Sequence, residues 1–443
     1  MRVFLDLRLS ARRSPASQGR NAHFGGSRPV RSVAGAVRGC CSQPMTQLFI
    51  NGLAASAGGG LTYLRNVIPD LERRAAIKAT ILLGPGLHQE FGNLRNVLLI
   101  EDPDSLNASR RFVREQMKLA DLVRRSGAQV LISAGNFALW NSHVPQILLS
   151  RNSLYTSADF ARDVRARGDY TIWADTLVKG WFARQSIRRS DITIAPSEAF
   201  ARELTEWSGR EVVGVHHGFN PEVFGGNAAP LPTETQAQLA EGKDALRLLF
   251  VSHYNYYRNF ETLFQAIPIL KKAMKAEKVK LYLTCRLDSR QNPGTYRAEA
   301  ASALVNELCA CHDIVELGTI PYRSLHHLYR ACHIYVTPAY AESFAHPLIE
   351  AMWSGLPVVA SDLPVHREIC GNAAVYFPRF SPHGLANCVL QVHNDPELAA
   401  RLSRAGHERS KDFGWEKHVT RLIDLANRLV AGSPAIKARK SEQ

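Results

Sequence analysis

Two glutamates eight positions apart, Glu342 and Glu350, stand where a chain could build an anion site. Glu342 sits in a loop after an apolar run, His333–Thr337. Glu350 falls one turn into a helix that Pro347 can open, because proline suits the first helical position. Gly355 supplies the stop and Pro357 forbids continuation. The backbone N–H groups of Ala345–Ile349 should therefore point, unpaired, toward the C-terminal edge of the strand. Free amides at a helix mouth attract anions, and here one acid lies beside the mouth and one inside it.

Such a mouth needs a sheet behind it. Short apolar runs alternate with amphipathic stretches from Met45 onward. Strands are expected at Gln47–Ile50, Lys78–Leu83, Val97–Ile100, Ala128–Ser133, Val144–Leu149, Asp191–Ala195 and Val212–His216. The second half offers Leu246–Ser252, Val279–Thr284, Ile314–Leu317, His333–Thr337, Pro357–Ser361 and Ala374–Phe377. Between them run helical patterns, such as Phe260, Leu263, Phe264, Ile267 and Leu270, with Asn259 as N-cap and Pro268 as a kink. This alternation predicts an α/β chain of parallel sheets with covering helices. The Gly- and Pro-rich stretch Pro221–Ala245 reads as a connection between two doubly wound domains, 46–222 and 243–410. Phe413–Leu429 reads as a closing helix with Trp415, Val419, Leu422 and Leu425 on one side.

Open α/β sheets bind ligands beyond the carboxyl ends of their strands, and three further loops fit that position. Ser56-Ala-Gly58-Gly59-Gly60 follows the first strand; its glycines, Gly59 among them, let backbone approach a diphosphate or an acceptor. Ser252-His253-Tyr-Asn-Tyr-Tyr-Arg258-Asn259 follows Leu246–Val251. Ser150-Arg151-Asn152 follows Val144–Leu149. Other signals read as structural. Asp102-Pro-Asp104 is a turn. His216 and His217, adjacent on a strand, should face opposite sides and cannot readily chelate one ion. Ser197 should cap a helix, and Glu368–Gly371 should form a helix exit. Cys309-Ala-Cys311-His312 has no second ligand pair at zinc-like spacing.

Composition bounds the rest. The chain has 443 residues and 45% apolar content, which suits two soluble globular domains. No apolar run is long enough for a membrane span. Net charge is +14, of which half lies in residues 1–44, where eight arginines face one acid, Asp6. That basic tail, 1–45, is expected to be disordered. It reads either as an Arg-rich transit peptide or as residues ahead of a true start at Met45. The scattered cysteines suggest reduced, buried thiols in a cytoplasm-like compartment.

The Glu342–Asp362 block resembles the E-x7-E signature of retaining glycosyltransferases with the GT-B fold, family four. The resemblance implies two Rossmann-like domains facing a cleft and a C-terminal helix, 411–430, returning to the first. It implies that Glu350 holds the ribose hydroxyls of a nucleotide-sugar donor and that Glu342 contacts the sugar. Phe344, Ala345 and His346 would bring their amides to the phosphates and sugar. A carboxylate accepting two hydroxyl hydrogen bonds suits both roles. The loop Ser252–Asn259 is similar to the family's diphosphate-binding segment: Arg258 stands at its lysine position and His253 where arginine is usual. Arg258 would thus stabilise the leaving diphosphate, with His253 helping either protonated or neutral. Ser343 and Ala345 replace small glycines around the Phe. Arg151 and Asn152 stand where relatives carry an acceptor-side histidine, and an arginine would suit an acceptor with a phosphate or acidic sugar.

The implied function is transfer of a sugar, with retention, from a nucleotide-sugar to a glycan or lipid-linked acceptor in polysaccharide or lipopolysaccharide synthesis. No metal or other cofactor is implied. The alternatives are a silent GT-B module that binds nucleotide or glycan, or a sugar-nucleotide hydrolase or epimerase. The basic surface suggests peripheral contact with an anionic membrane at the inner face; no nucleic-acid motif is present. Serine-hydrolase and P-loop readings fail, since G-x-S-x-G is absent and Gly242-Lys243 is followed by Asp244.

Overall fold

The computed structural model describes residues 45–432 apart from 56–57, 105–107, 227–228, 276–277 and 292–295. The expected disorder of the tail and the position of Ser56 lie outside the described residues. Thirteen strands form two all-parallel sheets. The first holds β1 (Thr46–Asn51), β2 (Ile77–Leu83), β3 (Val97–Glu101), β4 (Val130–Ser133), β5 (Gln146–Leu149), β6 (Ile192–Ala195) and β7 (Val212–Gly214), in the order β3-β2-β1-β4-β5-β6-β7. The second holds β8 (Ala245–Phe250), β9 (Lys278–Leu283), β10 (Ile314–Glu316), β11 (Ile334–Thr337), β12 (Val358–Ser361) and β13 (Ala374–Phe377), in the order β10-β9-β8-β11-β12-β13. Each expected strand has its counterpart. Central strands such as β4, β5, β11 and β12 are buried at every residue, as strands covered on both faces must be.

Both sheets reverse their winding at one place, between β1 and β4 in the first and between β8 and β11 in the second. Consecutive loops leave opposite sides of the sheet there and open a crevice. The loops after β8 and β11 carry Arg258 and Glu342, whereas Gly59, expected in the loop after β1, lies instead in the first turn of the helix Gly58–Glu72 that follows that loop. The topology, built by local βα alternation, therefore gathers residues far apart in sequence.

The described residues form one compact unit containing both sheets. The helix Trp415–Gly432 returns to the first sheet: Trp415, Val419, Leu422 and Leu425 join a core with Ile50, Leu64 and Ile132. Its entry is fixed where the Phe219 N–H donates to the Phe413 carbonyl at 3.0 Å. A second core mixes residues of both halves, with Phe200 and Leu204 against Leu348, Val358 and Ile369. At that seam Glu368 accepts from the Glu198 N–H at 2.8 Å and from the Ala199 N–H, so its carboxylate caps the helix Glu198–Ser208.

Several expectations are corrected. Pro221–Ala245 is not simply a connection, since Thr233–Glu241 is helical and Leu239 is buried. Asn259 occupies the N-cap of Phe260–Met274 with left-handed backbone but makes no capping bond; its Nδ2 donates to the Pro338 carbonyl and its Oδ1 accepts from Thr262. Its side chain is taken by the neighbouring loop after β11. Cys309 and Cys311 are exposed, whereas Cys285, Cys332 and Cys370 are buried thiols as expected. Asp102 and Asp104 form a turn clamped by Arg114. Ser197 caps its helix as expected, accepting from the Phe200 N–H at 3.2 Å.

Candidate functional site

A cleft of about 620 Å³ lies between the two sheets, lined by both. Gly59, Gly60, Asn136, Arg151, Asn152 and His217 face it from the first half. His253, Arg258, Tyr322, Glu342, the Ser343–Pro347 segment and Glu350 face it from the second. All ten residues expected at the site line this one cleft.

The floor is the mouth of the helix His346–Trp353, whose second residue is Pro347. Ala345 takes left-handed backbone, φ 63°, ahead of it. Glycine adopts that conformation freely; an alanine there is strained by about 1–2 kcal/mol. The bend ends the loop abruptly and turns the chain into the helix. Fewer amides are offered than expected. Pro347 has no N–H, the Leu348 N–H donates to the Ala345 carbonyl at 3.0 Å, and the Ser343 N–H is held by Glu342 Oε1 at 3.2 Å. Among the described residues, the N–H groups of Phe344, Ala345 and His346 have no partner.

Glu350 is buried on the first turns of that helix, 6% exposed, and accepts a hydrogen bond from the Tyr329 hydroxyl at 2.9 Å. Burial pushes its carboxyl up to about 7, and hydrogen bonds from Tyr329 and Tyr322 only partly oppose this. The acid is thus poised near neutral pH, with lone pairs left for a hydroxyl-bearing ligand. Glu342 behaves differently. Burial opposes its ionisation, but the Arg258 guanidinium, in direct contact, outweighs that and holds the carboxyl below its ordinary range. Arg258 is likewise kept charged by Glu342 despite burial. The pair spans 84 positions of sequence and joins the loops after β8 and β11.

His253 is exposed at the rim and shifted below the usual histidine range by burial and then by Arg258, so the neutral ring is the form present at pH 7. His346 is pushed down to about 4 by burial, and its Nε2 has no hydrogen-bond partner. Gly59 lies open: a side chain there would meet nothing within 4 Å. The tight position is Gly60, where an added Cβ would fall 2.8 Å from Ala55 Cα and 3.1 Å from Arg151 Nη2. On the first sheet's side, Asn136 Oδ1 accepts from the Arg151 and Asn152 N–H groups at 2.7 and 3.1 Å and shapes that loop. Among the described residues no acid pairs with Arg151; its guanidinium lies 6.0 Å from the centre of the Tyr63 ring.

His216 and His217 lie beyond the end of β7, so strand alternation does not set them apart. His216 Nε2 bonds Glu368 at 2.5 Å. His217 is buried among Tyr63, Phe344, His346 and Trp415, with neither ring nitrogen paired. Sequence reading also missed Tyr329, Tyr322 and Asn136. No local pattern marks them; only the pairing of distant loops brings them to the site.

Residues 233–409 match the family described as Glycosyl transferases group 1. D-inositol 3-phosphate glycosyltransferase of Streptomyces avermitilis is 24% identical over 366 residues, covering 79% of this chain and 76% of its own length. Among solved structures, sucrose-phosphate synthase from Thermosynechococcus elongatus is similar with a TM-score of 0.70 at 18% identity, over 88% of this chain and 100% of the other. The Anabaena protein HepE, in complex with UDP and glucose, is similar with a TM-score of 0.63 at 14% identity, over 86% and 100%. These structural likenesses show the fold, which is GT-B.

Proposed function

We propose, from the premise that this chain is a group 1 glycosyltransferase built on the GT-B fold, that it moves a sugar from a nucleotide-sugar to a glycan or lipid-linked acceptor with retention of configuration. The observation that carries this reading is the convergence of Glu342, Arg258 and Glu350 on one helix mouth at the β8/β11 reversal. A uridine diphosphate sugar is the donor tried first, because HepE was solved with UDP and glucose.

In this reading Glu350 accepts from the ribose hydroxyls, and Tyr329 holds its carboxylate in place. The amides of Phe344, Ala345 and His346 meet the diphosphate. Arg258 supplies the fixed positive charge that stabilises the leaving group, aimed there before reaction begins. Glu342 has two tasks: it pins Arg258 and accepts from sugar hydroxyls with its remaining lone pairs. A carboxylate held by a guanidinium is a poor nucleophile, which favours a same-face course in which the departing phosphate takes the acceptor proton. In this reading Arg258 and the free amides carry the charge stabilisation without a metal. Arg151 and Asn152 face the acceptor, and the unpaired Arg151 suits one that carries an acidic group. Synthesis of a surface polysaccharide at the inner face of the membrane, from the cytoplasm, is the setting proposed. Among the described residues no helix is long and apolar enough to cross a membrane.

The test is a thermal-shift screen of wild type and Glu350→Ala against nucleoside diphosphates. UDP or another diphosphate should stabilise the wild type and not the variant. Equal stabilisation of both removes Glu350 from the ribose and the reading with it.

A further inference from the structure

A second, apolar groove of about 230 Å³ adjoins the cleft. The single-turn helix Ser153–Tyr155 divides them: Ser153 lines the cleft, Tyr155 the groove, and Leu154 both. The groove continues between Phe160, Trp173, Leu177, Trp181 and Trp207. It opens on the helix Tyr170–Arg189, whose outer face carries Tyr170, Ala174, Leu177, Val178 and Trp181 at helical spacing. These are exposed; Val178 and Trp181 are 57% and 54% accessible. A stripe of large apolar side chains left in water costs solubility and marks a contact surface.

One cation stands in the groove. Arg184 packs 5.9 Å from the Trp207 ring, and its buried Nε has no hydrogen-bond partner. Among the described residues no acid pairs with it. An unpaired guanidinium inside an apolar wall fits a phosphate joined to a hydrocarbon chain. The floor has been kept open by Gly180, in mid-helix, where glycine costs about 1 kcal/mol against alanine. An added Cβ would already touch Tyr155 at 3.6 Å and Trp207 at 3.8 Å, so any longer side chain must enter the groove.

We propose that this groove binds the apolar chain of the acceptor, joined through a phosphate held by Arg184, while the acceptor's sugar end reaches the cleft past Leu154. The inference rests on the glycosyltransferase reading and narrows its acceptor to an amphiphile of the prenyl or long-chain alkyl phosphate class. The outer stripe would let such a chain pass to the groove from a lipid surface.

The probe is dodecyl phosphate, followed by tryptophan fluorescence below its micelle concentration, with dodecyl maltoside and inorganic phosphate for comparison. Wild type should bind dodecyl phosphate saturably and at least tenfold more tightly than either comparison compound. Gly180→Leu and Arg184→Gln should each weaken it about tenfold, while stabilisation by UDP is unchanged. Trp181→Ala, at an exposed position that folding tolerates, should weaken it several-fold. Equal binding by wild type and all three variants overturns the proposal, as does equal binding of the maltoside. If UDP stabilises the protein and dodecyl phosphate does not bind, the groove assignment alone fails. If UDP does not stabilise it, the donor reading fails independently.

Discussion

Replacing Glu350 with glutamine should strengthen the empty protein and weaken its grip on the donor, each in a defined pH window. In the empty cleft the Glu350 carboxyl is held at about 7 instead of 4.5, chiefly by burial. Each pH unit of such a displacement is worth about 1.4 kcal/mol, so ionised Glu350 costs the fold about 3 kcal/mol. The direction follows from proton uptake. Between 4.5 and about 7 the folded state holds the proton that the unfolded state has lost. Wild-type stability therefore falls as pH rises through that window and is level above it. Glu350→Gln lacks this loss, so its melting temperature should exceed wild type by the widest margin above pH ~7.5.

Donor binding should run the other way. A ribose diol donates to the carboxylate, so the bound state favours ionised Glu350. With a carboxyl at about 7, roughly a tenth is ionised at pH ~6 and nine-tenths at pH ~8, which makes affinity about tenfold tighter at the higher pH. Calorimetry with UDP-glucose is the assay, since its diphosphate does not titrate there as the free terminal phosphate of UDP does. The three cleft histidines cannot imitate the effect: His217, His253 and His346 all titrate below the ordinary histidine range, and their protonation would tighten binding as pH falls. An affinity that is flat between the two pH values, or a Glu350→Gln variant that keeps the wild-type slope, refutes the reasoning.

Three further outcomes are expected. Arg258→Met should destabilise the protein by about 3–5 kcal/mol, because Glu342 is left charged without its partner; adding Glu342→Gln should recover most of the stability in a denaturation series but none of the donor turnover. Tyr329→Phe removes the hydroxyl that bonds Glu350 at 2.9 Å; the carboxyl should rise further, so UDP-glucose affinity measured at pH 7 should drop several-fold and recover about one pH unit higher. Gly60→Val should reduce stability by about 1–3 kcal/mol through collision with Ala55 and Arg151, while Gly59→Ala should leave the melting temperature within a degree or two and show any effect only on donor or acceptor binding.

Much of the architecture was legible in residue order because it is local. Period-two and period-3.6 patterns, with Pro347, Gly355 and Pro357 as punctuation, are consequences of backbone sterics over a few residues. They sufficed for thirteen strands, for a closing helix near Trp415, and for the loops that carry Arg151, Arg258 and Glu342, whereas the return of that helix to the first sheet was implied only by the family resemblance. Glu350 was likewise placed by a helix start that the chain announces.

What residue order could not hold is pairing across long separations. Arg258 and Glu342 appeared as independent ligands; the fold makes them one ion pair across 84 positions. Burial and Tyr329, 21 positions away, set the charge of Glu350. His216 and His217 were assigned to a strand, and their roles changed because β7 ends early and the returning helix packs over them. The apolar groove behind Leu154 left no motif, since its walls come from segments that meet only when the helices pack. Electrostatics and cavities depend on distances in space, and those are decided when the sheets close on each other.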